Sequence, residues 1–306
     1  MIKELHSKPV ILPKVMLNHL APLIKDDETF IRWKWKLSGM GYPLNLEHPR
    51  SFSEKLQWLK LHDRRPEYTI MVDKVKAKQW VADRIGAEYL IPTLGVWERP
   101  EDIDFDQLPD QFVLKCNHNS GVGMYICKDK SKMDKQKVIK GLRKGLKQNY
   151  FWRNREWPYK DVKPMILAEQ YMEDEETKEL RDYKFFCFDG QPRALFIATD
   201  RGSKTEETKF DFYDMDFNHL PFTNGHPNST KEIVKPENFE EMQAIAAKLS
   251  AGIPHVRVDL YSINGMTYFG EMTFTHWSGM VPFVPREWDY KFGEWLKLPK
   301  LQRNHE

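Results

Sequence analysis

The stretch LPDQFVLKCNHNSGVGMYICK, residues 108–128, is where the texture of the chain changes. FVLK (112–115) is a compact strand-like run, CNHNSGVG (116–123) a loop, and MYICK (124–128) a returning strand. Lys115 closes the first strand, and Asn117, Asn119, Ser120, Gly121 and Gly123 follow it. Glycines allow close backbone approach, successive N–H groups can cradle phosphate oxygens, and a lysine supplies charge. The spacing is not that of a P-loop, and a plain hairpin has the same outline.

Upstream, the chain reads as mostly helical. Ser53 is the expected N-cap of SEKLQWLKLHD (53–63), with Leu56, Trp58 and Leu59 marking an apolar face. Asp73 opens DKVKAKQWVADRIG (73–86), and Gly86 ends it. LIPTLGVW (90–97) is strand-like. The most apolar segment, VILPKVMLNHLAPLI (10–24), reads as a core helix, with contact to a membrane or partner as the alternative.

Downstream lie MILAEQYM (165–172), a hairpin of DYKFFCF and PRALFIAT around Asp189-Gly190, a helix over 237–251, and a hairpin of HVRVDLYS and MTYFGEMTF around Asn264-Gly265. The expectation is an α+β body of mainly antiparallel strands preceded by a helical part.

Strand alternation puts Arg257 with Asp259 on one face, Glu271 with Thr273, and Asp182 with Lys184. Asp259 and Glu271 flank the Asn264-Gly265 turn, so their carboxylates could face each other across the ladder and, unpaired, would repel. Mg²⁺, which favours a few carboxylate oxygens plus phosphates and water, resolves that conflict, with Arg257 suited to a phosphoryl group. A solvated Arg–carboxylate cluster is the alternative. The strand Ala168-Glu169-Gln170-Tyr171-Met172 could sandwich a purine or simply be buried.

The 306 residues are 41% hydrophobic and 30% charged, an ordinary globular balance. A net charge of +2 predicts no dominant basic face, so nucleic acid is not an expected partner. Cys116, Cys127 and Cys187 lack CxxC spacing and read as reduced thiols of a cytoplasmic protein. Met1–Pro9 lacks an apolar signal-peptide core, and no run approaches the 18 apolar residues of a membrane span.

In order, FSEKLQWLKLHDR (52–64), DKVKAKQWV (73–81), LPDQFVLKCNHNSG (108–121), EWPYKDVKPMILAEQYM (156–172) and DYKFFCFDGQPR (182–193) resemble the TupA-like branch of the ATP-grasp superfamily. The resemblance implies an ATP-grasp fold: a helical region over 1–107, a lid subdomain with the glycine-rich loop over 108–168, and a C-terminal subdomain with metal and acceptor sites over 169–306. It implies that Lys74 and Lys115 hold ATP phosphates beneath a loop of Asn119, Ser120, Gly121 and Gly123. Glu169, Gln170, Tyr171 and Met172 would form the adenine hinge, and Asp182 would bind ribose. Lys184, Arg257 and Lys115 would act on the transferring phosphate, with Asp259, Glu271 and Thr273 at one or two Mg²⁺ ions. Thr273 stands where the family pattern has Asn, and Ser278-Gly279 where it has Pro-Gly.

The implied reaction joins a carboxylate to an amine through an acyl-phosphate, in assembly of a uronic-acid-containing cell-surface polysaccharide. Arg201, His276, Trp277 and Ser278 are the acceptor candidates, with Arg153, Arg155, Arg181 and Arg286 as further carboxylate clamps, and His118 and His276 as bases. Trp152, Trp157 and Tyr159 could stack on sugars. Two alternatives stay open: a glycosyltransferase using Asp104-Phe105-Asp106 or Asp214-Met215-Asp216, and a non-catalytic nucleotide- or glycan-binding protein.

Overall fold

The computed structural model describes residues 11–175, 180–200 and 206–300. The reading of Met1–Pro9 and the candidate Arg201 lie outside the described residues.

Helices α1 (Ile11–Leu20), α2 (Asp27–Ser38), α3 (Phe52–His62), α4 (Glu67–Val72) and α5 (Lys76–Ile85) open the chain. Strand β1 (Thr93–Trp97), β2 (Phe112–Cys116) and β3 (Tyr125–Cys127) follow, then α6 (Lys135–Leu146), α7 (Tyr150–Asn154) and β4 (Ile166–Gln170). The C-terminal half contains β5 (Asp182–Phe188), β6 (Gln191–Thr199), β7 (Lys209–Tyr213), β8 (His219–Leu220), β9 (Thr223–Asn224), α8 (Phe239–Ser250), β10 (Val256–Ile263), β11 (Met266–Thr273), β12 (Phe283–Val284) and α9 (Glu287–Trp295).

Local chemistry accounts for the boundaries. The cap of α3 is Ser51, not Ser53: Ser51 has extended backbone, accepts from the Glu54 N–H, and receives the Glu54 carboxylate on its own N–H. The Ser53 N–H goes instead to Asp289 at 2.8 Å. Both expected two-residue turns form, with Asp189-Gly190 and Asn264-Gly265 at positive φ throughout, the requirement of a tight hairpin.

The strands make a four-stranded sheet in the order β1-β4-β2-β3, a six-stranded sheet in the order β11-β10-β5-β6-β7-β8, and a two-stranded β12-β9 ribbon. Every strand pair in them is antiparallel. The smaller sheet draws β1 from before residue 107 and ends within β4 at Gln170, so residue 168 falls inside its last strand. One face of the large sheet packs on α4, α5 and α8 through Tyr68, Val81, Phe185, Phe239 and Val258. The other packs on α3 and α9 through Phe52, Leu56, Phe186, Phe196 and Phe292. All three cysteines are buried free thiols, and burial pushes Cys187 up to about 12.

The segment expected to be a core helix is a surface helix. Leu17 and Ala21 pack on Phe30, but Val15, Met16, Leu20 and Leu23 are exposed. An apolar composition fixed one packed face; only the neighbours available decided the other.

Candidate nucleotide and phosphoryl-transfer site

The site lies where the smaller sheet, the start of α5 and the β11 end of the large sheet converge. On the large sheet, the register sets Asp259 between Lys184 of β5 and Glu271 of β11, and Arg257 opposite Thr273. A bulge at Asp259/Leu260 accommodates Gly270, where an added Cβ would lie 3.0 Å from the Asp259 carbonyl and 3.1 Å from the Tyr261 ring. Arg257 holds Asp259 through two bonds of 2.7 Å, the strong bidentate arrangement. It also donates to the Thr273 hydroxyl at 3.1 Å and to His276 Nδ1 at 2.8 Å, and lies 3.8 Å from Glu271. Lys184 Nζ lies 2.5 Å from Asp259 Oδ2 and 3.4 Å from Asp182.

Lys74 joins the two sheets. Its ammonium donates to the Asn119 carbonyl at 3.0 Å and pairs with Glu271 at 3.1 Å. Burial would raise the Glu271 pKa, but Lys74, Lys184 and Arg257 outweigh it and hold the carboxyl well below its usual range. On the smaller sheet, Lys115 pairs with the buried Glu169 of neighbouring β4. Lys78, absent from the sequence candidates, takes the other Glu169 oxygen at 2.6 Å. Lys115 and Lys78 likewise outweigh burial and lower the Glu169 pKa.

Asn117 fixes the loop. Its amide donates to Asp73 at 2.8 Å and to the Lys163 carbonyl at 3.0 Å, and its oxygen accepts from the Met165 N–H at 2.8 Å. Asp73 also accepts from the Val75 N–H at 3.0 Å at the start of α5. One buried amide therefore ties the glycine-rich loop to the element that presents Lys74. The loop rests on α6, where a Cβ on Gly145 would come within 2.6 Å of Cys116 Sγ and of the Val122 carbonyl. Gly123, at positive φ, meets the same surface, whereas Gly121 faces open space.

The segment expected to bind the acceptor has unusual backbone. Trp277, Ser278 and Gly279 are consecutive left-handed residues with φ of 49°, 58° and 62°. Two of their carbonyls are gripped from α3: Gln57 donates to the Ser278 and Gly279 oxygens, both at 3.0 Å. Lys60 donates to the Ser278 carbonyl at 2.7 Å, the Ser278 hydroxyl at 2.8 Å and the Gln57 oxygen at 2.9 Å. Burial pushes this lysine down to about 7, against the pull of Glu156.

His276 is buried and faces Arg257 rather than solvent. Because Nδ1 accepts from the guanidinium, Nε2 carries the proton and donates to Asn224 at 2.8 Å. Burial and then Arg257 lower its pKa well below the ordinary value. Its visible role is to orient Arg257, not to serve as a free base. His118 is similarly committed, between Asn117 and the Gln148 carbonyl. Trp277 keeps an exposed ring against Phe210.

Other candidates are placed elsewhere. Arg155 is fully buried, binding the Ala21 and Ile24 carbonyls and Asp27. Trp152 packs with Leu17 and Phe30, and Arg286 stacks on Tyr42. Asp104 and Asp214 accept backbone N–H groups of their own turns, and Asp106 pairs with Lys135. Of the remaining candidates on the site itself, Gln170 is exposed beside the Tyr171 and Met172 backbone at the end of β4, and Asp182 is buried beside Lys184.

No group of three or more His, Cys, Asp or Glu among the described residues is arranged to hold a metal. Asp259 and Glu271 supply two carboxylates, with the Thr273 hydroxyl beside them. That set fits Mg²⁺ of the kind that draws its remaining ligands from nucleotide phosphates and water, with Glu271 the more accessible carboxylate since both Asp259 oxygens are taken.

Two antiparallel sheets, a glycine-rich hairpin and this ladder of cations and carboxylates define an ATP-grasp protein. The model of the TupA-like ATP-grasp family matches residues 54–297, and the chain belongs to that family. No curated protein matches by sequence. Among solved structures, D-alanine–D-alanine ligase from Bacillus anthracis, complexed with ATP, is 17% identical over 67% of this chain and 55% of its own, at a TM-score of 0.38. The Helicobacter pylori D-alanine–D-alanine ligase is 14% identical over 75% and 62%, at 0.41. ATP-grasp ligase PsnB, complexed with minimal precursor, Mg and ADP, is 11% identical over 80% and 66%, at 0.41. The chain thus spans 55% and 62% of the length of the two D-alanine–D-alanine ligases.

Proposed function

We propose that the protein is an ADP-forming carboxylate–amine ligase that attaches an amine or amino acid to a carboxylate-bearing glycan or its precursor in the cytoplasm. The observation that carries this reading is the gathering of Lys74, Lys184 and Arg257 about Asp259 and Glu271, with Lys74 also reaching the loop that follows Lys115. Transfer of a phosphoryl group to a carboxylate brings two anions together, and fixed cations with Mg²⁺ offset that repulsion.

In this reading Lys74 and Lys115 bind the phosphates and the loop of Asn119, Ser120, Gly121 and Gly123 covers them, with 108–168 acting as the lid. The backbone of Glu169 to Met172 holds adenine, and Asp182 the ribose. Arg257 and Lys184 neutralise the transferring group, and Glu271, with Asp259 and Thr273, holds the metal. The carboxylate attacks the γ-phosphorus, ADP leaves, and the amine then displaces phosphate from the acyl-phosphate while the closed loop excludes water. The Trp277 ring offers the acceptor a stacking surface. The family's link to cell-surface polysaccharide assembly supports the choice of a glycan.

The test is mass spectrometry of products from Mg-ATP, uronic-acid oligosaccharides and amino acids, run with Lys115→Ala and Glu271→Ala. Amide formation with ADP is expected from the native chain, and loss of ATP turnover from both variants. Lys115→Ala leaves Glu169 paired with Lys78, so the fold survives. ADP release from both variants at the native rate would remove the assignment.

A further inference from the structure

The N-terminal helix carries a surface that the ligase reading does not use. The sequence from Ile11 to Lys25 has no Asp or Glu, and contains Lys14, His19 and Lys25. Met16, Leu20 and Leu23 follow at near-helical spacing and are 62%, 43% and 76% exposed. The opposite side, Leu17 and Ala21, packs on Phe30. Carboxylates begin just after this segment, and each is committed: Asp26 accepts from the Thr29 N–H, Asp27 pairs with Arg64 and Arg155, and Glu28 pairs with Arg32. Trp33, three residues beyond Phe30, is 49% exposed.

The helix is also firmly held. Arg155, fully buried, donates to the Ala21 and Ile24 carbonyls at 2.8 and 2.7 Å and stacks over Phe30. The next residue, Glu156, accepts from the hydroxyl of Thr275, which precedes His276. Two successive residues therefore link the exposed apolar stripe to the segment before the left-handed turn.

We propose that α1 and the turn after it form a docking surface for an anionic lipid bilayer. An apolar stripe seats at the headgroup boundary, and a segment whose sequence carries lysines and no carboxylate favours negative headgroups. A protein groove would ask for shape rather than this charge bias. With no helix among the described residues long and apolar enough to cross a membrane, attachment is peripheral.

The test is co-sedimentation of the full chain with vesicles of phosphatidylglycerol and of phosphatidylcholine, beside the double variant Leu20→Glu, Leu23→Glu. Both positions are exposed, so folding is kept, and an unchanged melting temperature verifies that. Binding to phosphatidylglycerol should exceed binding to phosphatidylcholine, weaken with salt, and fall roughly tenfold or more in the variant. Binding equal for both lipids, unaltered in the variant, or absent would overturn the proposal. So would concentration-dependent self-association abolished by the variant without vesicle binding, which would make the stripe an interface between copies. None of these outcomes depends on ATP turnover, so the ligase reading stands or falls separately.

Discussion

Glu169 illustrates how much one buried charge can govern. Its carboxylate sits between Lys115 and Lys78 at the boundary of sheet and cleft. A carboxylate whose pKa is depressed in the folded state adds stability that is complete above its ordinary value of 4.5 and is lost as pH falls toward the depressed one. Glu169→Gln removes that contribution and leaves two cations facing a neutral amide. At pH 7 the variant should be less stable by about 3–5 kcal/mol, and the difference from native should shrink as pH drops below 4.5. Urea denaturation at pH 7 and pH 3.5 measures both ends; a constant gap would show that the pairing is not the source. His276 teaches a related lesson. A histidine just after β11 reads as a base, yet the atom that would take the proton already accepts from Arg257.

Between elements, close approach of backbone decides the outcome. Gly145 of α6 is the point on which the glycine-rich loop rests, and a methyl there collides with the Val122 carbonyl. Gly145→Ala should cost about 1–3 kcal/mol and raise the KM for ATP. Gly121→Ala meets open space and carries only the strain of its φ of 79°, about 1 kcal/mol. Parallel melting curves and ATP kinetics rank the two; equal effects would count against the loop's resting on α6. Helix α3 acts at a distance in the same manner. All three Lys60 protons find acceptors, two of them on Ser278. Lys60→Met should free the left-handed turn and lower turnover while leaving the melting shift produced by Mg-ATP intact. Loss of that shift would mean that Lys60 supports the nucleotide side instead.

For the molecule as a whole, Lys74 ties the loop of the smaller sheet to the edge of the large one with one ammonium. A nucleotide binding there stabilises both sheets together. At one hundred times its dissociation constant, Mg-ATP should add about 2.7 kcal/mol, a rise of several degrees in melting temperature. A nucleotide sugar should give no comparable rise. The reverse ranking would favour the transferase alternative, although its Asp104 and Asp214 carboxylates are occupied with their own turns.

The sequence by itself determined the ordered series of strands and charges, because alternation and two-residue turns are local rules. Asn264-Gly265 pairs β10 with β11, but it takes the bulge at Asp259/Leu260, a feature of the folded sheet, to bring Asp259 opposite Glu271 rather than Gly270. The cap at Ser51 is legible too, in the Ser-x-x-Glu spacing to Glu54, whereas Ser53 has the right residue type but its N–H is taken by Asp289, a contact no local rule reveals. Tertiary structure decided what each charge meets. That Lys78 shares Glu169 with Lys115, that Asn117 rivets the loop to Asp73, and that Lys60 holds Ser278 all depend on contacts between segments far apart in the chain. The same holds for the exposed side of α1: hydrophobicity says that a face seeks cover, and only the packed neighbours determine which face receives it.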